Sequence, residues 1–482
     1  MSTAPIHTVK IHPGIGIARV GNSPDRFFIG PEKPGDSSAP EDGYKDRFGR
    51  MKRQAARFRL FGYDAAGKLV QEITGRDATI HWTAHLANKK AAWKRFDGLN
   101  HNTPLRNALI ADRNSLIIDS GSRTITGSGA SASFDSGAFL GVPVPLGEIR
   151  MDQAGHLLVL GGFGASSSPH NQPVSTFANN DGWHDDVSDG PVSATVRLNG
   201  HSIDMKAHPA WVICGPPDFA PALDSVTTLY DVLQQFAVDH LGVKPPVRPS
   251  FAKDIYPILR RVIEMRWVSM MAGGAHKTLL SVIPPPGLDS VRAAIFGRLR
   301  NPNDGSGADM PMIYSDTEEK NESITRLQYA VLQKWKDGEF ENDWSGPPAP
   351  ETEITPEGLD RAALEACVGG AFFPGIEAGW FMRDVFKYSE PFRLDQSKLK
   401  AGDATKQMSV PWQADFWACQ LDGDTSWWPS QRPDDVFPED GGGQTGWTRD
   451  FVNNSAEMIQ FWYQLGVVVR RGDAFVETER YS

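Results

Sequence analysis

Lys244-Pro245-Pro246-Val247-Arg248-Pro249 divides the chain into two parts that read differently. Three prolines in six residues fix φ and remove N–H donors, so neither a helix interior nor a central strand passes through, and the stretch reads as a stiff connector. On its N-terminal side short segments rich in β-branched and aromatic residues alternate with turn formers: Thr8 to His12, Arg57 to Phe61, Ser115 to Asp119, His156 to Leu160, Ser193 to Leu198 and Trp211 to Cys214. This is the pattern of a mainly antiparallel β region, closed by a helix over Leu223 to Leu241. On the C-terminal side the period changes. Ile255, Ile258, Leu259, Val262 and Ile263 recur at helical spacing within Phe251 to Met271, and Ile324 to Trp335 repeats that spacing. The expected fold class is α+β, with a β-rich N-terminal domain over 1–243 and a mainly helical, loop-rich C-terminal domain over 251–482.

The whole chain is 482 residues with 40% hydrophobic and 22% charged residues, enough to bury a substantial core. Its 47 glycines and 35 prolines amount to about 17%, against a usual ~12%, which argues against an all-helical bundle. The net charge is −10 with no basic stripe, so nucleic acid is not an expected partner. Apolar runs fall far short of the ~20 residues that span a bilayer, and Met1 to Gly14 lacks a charged segment followed by an apolar one. No membrane partner and a cytoplasmic location are the corresponding expectations. Cys214, Cys367 and Cys419 are too few and too far apart for a disulfide framework or a CxxC metal site.

Four segments concentrate chemistry. His12-Pro13-Gly14-Ile15-Gly16-Ile17-Ala18-Arg19-Val20-Gly21 has glycines misplaced for a dinucleotide-binding loop and reads as a turn joining two strands. Asn179 to Pro191 gathers His184 with Asp181, Asp185, Asp186 and Asp189. Those groups could hold a hard cation or do acid–base work, although Asp and Asn equally form turns, and a turn ahead of a strand accounts for most of the composition. Thr355-Pro356-Glu357 opens a helix, with Thr355 as N-cap and Pro356 in the first turn. That helix is expected to run through Cys367 and stop at Gly369-Gly370, a place where the dipole disfavours a thiolate. Trp412 to Cys419 and Trp427 to Asp434 place four of 14 tryptophans in a polar, proline-rich stretch, as a carbohydrate platform or a packed loop core would.

Val368-Gly369-Gly370-Ala371-Phe372-Phe373-Pro374-Gly375-Ile376-Glu377 after the cysteine, with Trp412-Gln413-Ala414-Asp415 and Trp428-Pro429, resembles the cysteine tryptophylquinone amino-acid oxidases, the lysine ε-oxidase and glycine oxidase family. The opening Ile11 to Ser23, the segment Asn179 to Pro191 and Met310-Pro311-Met312-Ile313-Tyr314 resemble further blocks of that family in the same order. The resemblance implies a protein-derived quinone, Cys367 joined by a thioether to Trp428, with Trp427 as the alternative. It implies an oxidase of a primary amine or amino acid. The amine condenses with the quinone, a carboxylate removes the Cα proton, and dioxygen regenerates the quinone with release of ammonia and hydrogen peroxide.

Asp415 is the expected base, its pKa raised by burial among aromatics. Where the family resemblance leads one to expect an aspartate one helical turn before the cysteine, aiding maturation, this chain has Ala363, and Asp360, two turns back on the same face, is the expected substitute. Arg432 or Arg383 would meet a substrate carboxylate. A separate flavoprotein for maturation and a homo-oligomer are also implied, and no resident metal. The rival readings are a metal-dependent enzyme centred on His184, Asp185, Asp186 and Asp189, a tryptophan-rich glycan-binding module, and an uncrosslinked scaffold.

Overall fold

A computed structural model describes residues 5–97, 102–276, 288–308, 310, 324–369, 375–378, 381–382, 384–418 and 430–481. Ten strands carry the N-terminal architecture: β1 (Thr8–His12), β2 (Ile15–Arg19), β3 (Arg53–Tyr63), β4 (Ala78–Asn88), β5 (Ile118–Thr126), β6 (Ser131–Ser133), β7 (Glu148–Met151), β8 (Leu157–Leu160), β9 (Ser188–Leu198) and β10 (Ala210–Gly215). They lie in one sheet in the order β5-β4-β9-β10-β2-β3-β8-β7-β6, with β1 also paired to β3. The pairing is antiparallel, Val196 opposite Ile80 and Val159 opposite Ala56, except that β2 runs parallel to β10 with Ile17 opposite Ile213. The expectation of a mainly antiparallel region holds, as does the α+β class.

Side-chain alternation along β2 and β10 decides where the helices go. Successive residues of a strand face opposite sides. Val212 and Cys214 turn into a core with Val9, Ile11, Phe58, Leu60 and Trp82, whereas Ile15, Ile17, Trp211 and Ile213 turn to the other face. That second face is covered by helices α1 (Leu229–His240) and α2 (Pro356–Glu365), through Leu229, Leu233, Ala363 and Leu364, and by Cys367 just after α2. A third cluster gathers Phe219, Phe251, Trp335, Trp412, Trp447 and Trp462 with Val20 and Val187 of the sheet region, so apolar packing runs across the Pro-rich connector. Among the described residues no helix is long and apolar enough to cross a membrane.

Several boundaries move. Ser115 to Asp119 is not one strand: Asp112 accepts the Asn114 N–H and caps a 3-10 turn over Arg113–Leu116, and β5 starts only at Ile118. The helix expected from Leu223 starts at Leu229 because Thr228 and Asp231 form a capping box. Phe251 to Met271 breaks into a π turn (Phe251–Ile255), a helix (Tyr256–Glu264), a 3-10 turn (Met265–Trp267) and the start of another helix (Met270–His276), with Pro257 in the first turn of the second piece, where its missing N–H does no harm.

Candidate active site

Helix α2 begins as its sequence dictates, with the Thr355 side chain accepting the Gly358 N–H at 3.0 Å and Pro356 at its first position. It ends earlier than expected, at Glu365 with Ala366 as cap, so Cys367 lies just beyond the helix. A distant contact stops it: Leu229 N–H donates to the Cys367 carbonyl at 3.0 Å, Gly369 N–H donates to Thr227 O at 3.0 Å, and Val368 bridges Thr228. Gly369 is required there, since a Cβ would fall 1.9 Å from the Thr228 carbonyl oxygen.

Cys367 is fully buried and its Sγ–H donates to Ala363 O at 3.4 Å. Burial, and then the nearby Glu377 carboxylate, hold the thiol well above its ordinary range. The surroundings are charged despite the burial. Arg19 Nη2 donates to Glu377 Oε1 at 3.1 Å and to Ala366 O at 2.9 Å, while Arg19 Nη1 donates to Pro216 O at 3.1 Å. Burial pushes the Glu377 carboxyl up to about 7, against the pull of Arg19. Arg19 and Glu377 had no role in the expectations from sequence. Their signal was a charge inside an apolar run, Arg19 after Ile15-Gly16-Ile17-Ala18 and Glu377 after Phe372-Phe373-Pro374-Gly375-Ile376.

Trp427, Trp428, Pro429, Cys419, Arg383 and the stretch Pro311 to Tyr314 lie outside the described residues. The residues that directly follow Trp428-Pro429 are described, and they are tied on two sides. Gln431 Nε2 donates to Ala366 O at 3.2 Å and its Oε1 accepts from Ser225 Oγ at 3.0 Å, while the Ser430 hydroxyl bonds Leu223 O. Arg432 Nε donates to Phe416 O at 2.6 Å. Phe416 belongs to helix α3 (Trp412–Ala418), which also carries Asp415, 3% exposed. Residues 430–432 therefore run between the Cys367 corner and the helix of Asp415. Arg432 itself is buried, gives Nη1 to Pro433 O at 2.9 Å and sits over the Trp447 ring. Those contacts hold Arg432 in the packed interior beside α3 and Trp447.

Asp360, in α2, points toward the N-terminus of the chain. His12 Nδ1 lies 3.1 Å from both of its carboxylate oxygens, and Gly14 N–H donates to its Oδ1 at 2.6 Å. Tyr63 Oη pairs with His12 Nε2 at 3.2 Å. The His12-Pro13-Gly14 segment is thus the turn between β1 and β2, as expected, and also the dock for α2.

The Asn179 to Pro191 segment does turn, at Asp181-Gly182, ahead of a strand, but β9 starts at Ser188, before the expected Val192, and His184, Asp185, Asp186 and Asp189 are buried clamps with separate partners. Asp185 pairs with Lys90 Nζ at 2.5 Å and accepts the Trp412 N–H at 3.0 Å, which places a negative charge at the N-terminus of α3. Asp186 accepts N–H groups of Phe163 and Ala165, Asp189 those of Ala404 and Thr405 and the Trp211 indole, and His184 Nε2 pairs with Ser167 Oγ. Among the described residues no three His, Cys, Asp or Glu side chains converge to hold a metal. Trp412 is buried at 1% exposure, which removes it from any surface glycan platform.

Residues 12–214 match the family model for the L-lysine epsilon oxidase N-terminal region, and residues 305–439 the model for the L-lysine epsilon oxidase C-terminal domain. The L-lysine 6-oxidase of Marinomonas mediterranea is 27% identical over 528 aligned residues, covering 86% of this chain and 71% of that protein. A crystal structure of the L-Lys epsilon-oxidase from Marinomonas mediterranea superposes with a TM-score of 0.80 at 24% identity, covering 98% of this chain and 95% of that one. A second, of the Schiff base intermediate of that enzyme with L-Lys, gives 0.81 with the same identity and coverage. These superpositions carry the fold.

Proposed function

We propose, from the premise that this chain belongs to the L-lysine ε-oxidase family, that it is an amino-acid or amine oxidase whose cofactor is a cysteine tryptophylquinone made from Cys367 and Trp428. The observation that carries this is the double anchoring of residues 430–432, to Ala366 beside Cys367 and to Phe416 beside Asp415. The residues present fit such a group: a thiol with no disulfide partner among the described residues, sealed from water between sheet and helices, with the chain that follows Trp428 tied next to it. The quinone would supply an electrophilic carbonyl for the substrate amine and an electron sink that passes two electrons to dioxygen, with ammonia and hydrogen peroxide as products.

The chain supplies the rest. Asp415, held in a buried helix whose first N–H is fixed by Asp185, is the base for the Cα proton. Asp360 supports maturation through position, by locking α2 onto the β1–β2 turn. The helices and sheet around Cys367 exclude water from the reaction. A flavoprotein partner performs the maturation. The substrate is a primary amine or amino acid, as the activity named for the Marinomonas relative suggests.

A peptide-resolved mass spectrum of the chain produced with that flavoprotein tests the reading. A Cys367 peptide joined to the Trp427-Trp428 peptide, two oxygens heavier and four hydrogens lighter than the two together, is the expected result, followed by peroxide release on an amine panel. Separate, unmodified peptides would remove the basis of the mechanism.

A further inference from the structure

A thioether at Cys367 needs the thiol proton to leave, and the surroundings of the sulfur oppose that: the group is sealed from water and its S–H is turned to the Ala363 carbonyl. Three carboxylates have to be considered. Asp218 acts on the thiol, as Glu377 does, but already accepts the Ala220 N–H at 2.8 Å. Asp360 has both oxygens engaged, by His12 and by the Gly14 N–H. Glu377 differs. It is 2% exposed, its Oε1 takes one hydrogen bond from Arg19, and its Oε2 has no hydrogen-bond partner among the described residues. It is also hung from the backbone on both sides of Cys367. The Arg19 nitrogen that holds it donates equally to Ala366 O, the carbonyl just before the cysteine, and the Val368 N–H, just after the cysteine, faces the carboxylate. A buried carboxylate oxygen that meets no side-chain donor among the described residues, and at most a facing backbone amide, is uncommon enough to call for an explanation.

We propose that Glu377 is the proton acceptor for Cys367 during cofactor maturation, with Arg19 as the fixed cation beside the pair; this rests on the quinone reading above. The S–H bond breaks, an O–H bond forms at Glu377, and the negative charge moves from carboxylate to sulfur. Joining the sulfur to the indole then forms one C–S bond and breaks one ring C–H bond, releasing a second proton and two electrons, for which the flavin of the maturation partner is the acceptor. Burial raises the affinity of Glu377 for a proton and so brings it nearer to that of the buried thiol. Arg19 and Asp218 also line a narrow cavity shared with Tyr44 and Lys52.

The test uses the full chain produced with its flavoprotein and reads the fraction of Cys367 peptide that is joined, as a function of time and pH. Glu377→Gln should slow joining by about 100-fold or more, and Glu377→Asp should restore part of it. In the wild type the rate should fall as pH drops through about 7, where Glu377 takes up a proton. Equal joining in wild type and Glu377→Gln overturns this proposal alone, as does loss of joining in Asp360→Asn but not in Glu377→Gln. No joining in the wild type overturns the quinone reading and this proposal with it. If Glu377→Gln fails to fold because Arg19 is left without its partner, the wild-type profile decides, and a rate that is flat around pH 7 is the overturning result.

Discussion

Two buried clusters of charge, one around Asp185 and one around Glu377, are built from the same residue types and put to different use. Asp185 faces Lys90 with both side chains fully buried, and its remaining capacity is filled by Asn88 and the Trp412 N–H. Asp189 is likewise met by four donors. These carboxylates join β4, β9 and β10 to the segments leading into α3, and leave nothing over for chemistry. Glu377 also faces a buried cation, Arg19, yet keeps one oxygen without a side-chain partner among the described residues, near a thiol. Asp186 offers a control, because its Oδ1 is also without a hydrogen-bond partner among the described residues, and burial pushes its carboxyl up to about 7. A spare oxygen alone is therefore no site. What distinguishes Glu377 is its attachment to the residues flanking a side chain that has to react.

Substitutions can break that comparison at either end. The largest expected effect is at the thiol: Cys367→Ser should leave no joined peptide and reduce amine-dependent peroxide release to background, with the unfolding midpoint of the chain isolated without its maturation partner little changed. Asp415→Asn should retain the thioether by mass while turnover falls by roughly 10²–10⁴-fold, the usual worth of a general base. Asp185→Ala should act on folding: stranding Lys90 in the core costs about 3–5 kcal/mol, measured by denaturant unfolding, while turnover per joined molecule falls less than in Asp415→Asn.

The smallest effect is a pH dependence. Asp186 in the folded chain titrates near 7, above the ~3.9 of an unfolded aspartate. Its contribution to stability is present below the unfolded value and is lost as pH rises through about 7. The unfolding midpoint of the wild type should thus fall relative to Asp186→Asn between acid and neutral pH. His184, lowered by burial, works in the opposite direction, and the difference between the two proteins cancels it. A difference that stays constant with pH would show that Asp186 is ionised throughout, and would place it with Asp185 as an ordinary clamp.

Local physics was legible in the sequence, and contacts between distant residues were not. The N-cap at Thr355, the strand at Thr8 to His12 and the α+β order follow from residue type and period over a few positions. The end of α2 does not, because Thr227 to Leu229, which pull Cys367 to Gly369 out of the helix, come more than a hundred residues earlier. Asp360 finds His12 across 348 positions, and Asp185 finds Lys90 across 95. For the same reason the acidic segment reads as a turn or a metal site: its composition is visible, while the lysine and backbone amides that use it are scattered. The family resemblance supplied a candidate site that spacing could not, and among the described residues the long-range bonds of residues 430–432 run between Ala366 and Phe416.

That setting bears on the polymer as well as the enzyme. The bond from Gln431 to Ala366 brings two stretches of chain side by side in the folded state, so a thioether between Cys367 and Trp428 would add little new constraint there. The unfolded chain would feel it far more, as a closed ring of about 60 residues, and the loss of its freedom is worth about 4 kcal/mol on the chain-entropy account of a crosslink. Maturation would then be a one-way ratchet on stability: each chain that acquires its cofactor also becomes harder to unfold, and heating a mixed preparation would enrich the matured molecules.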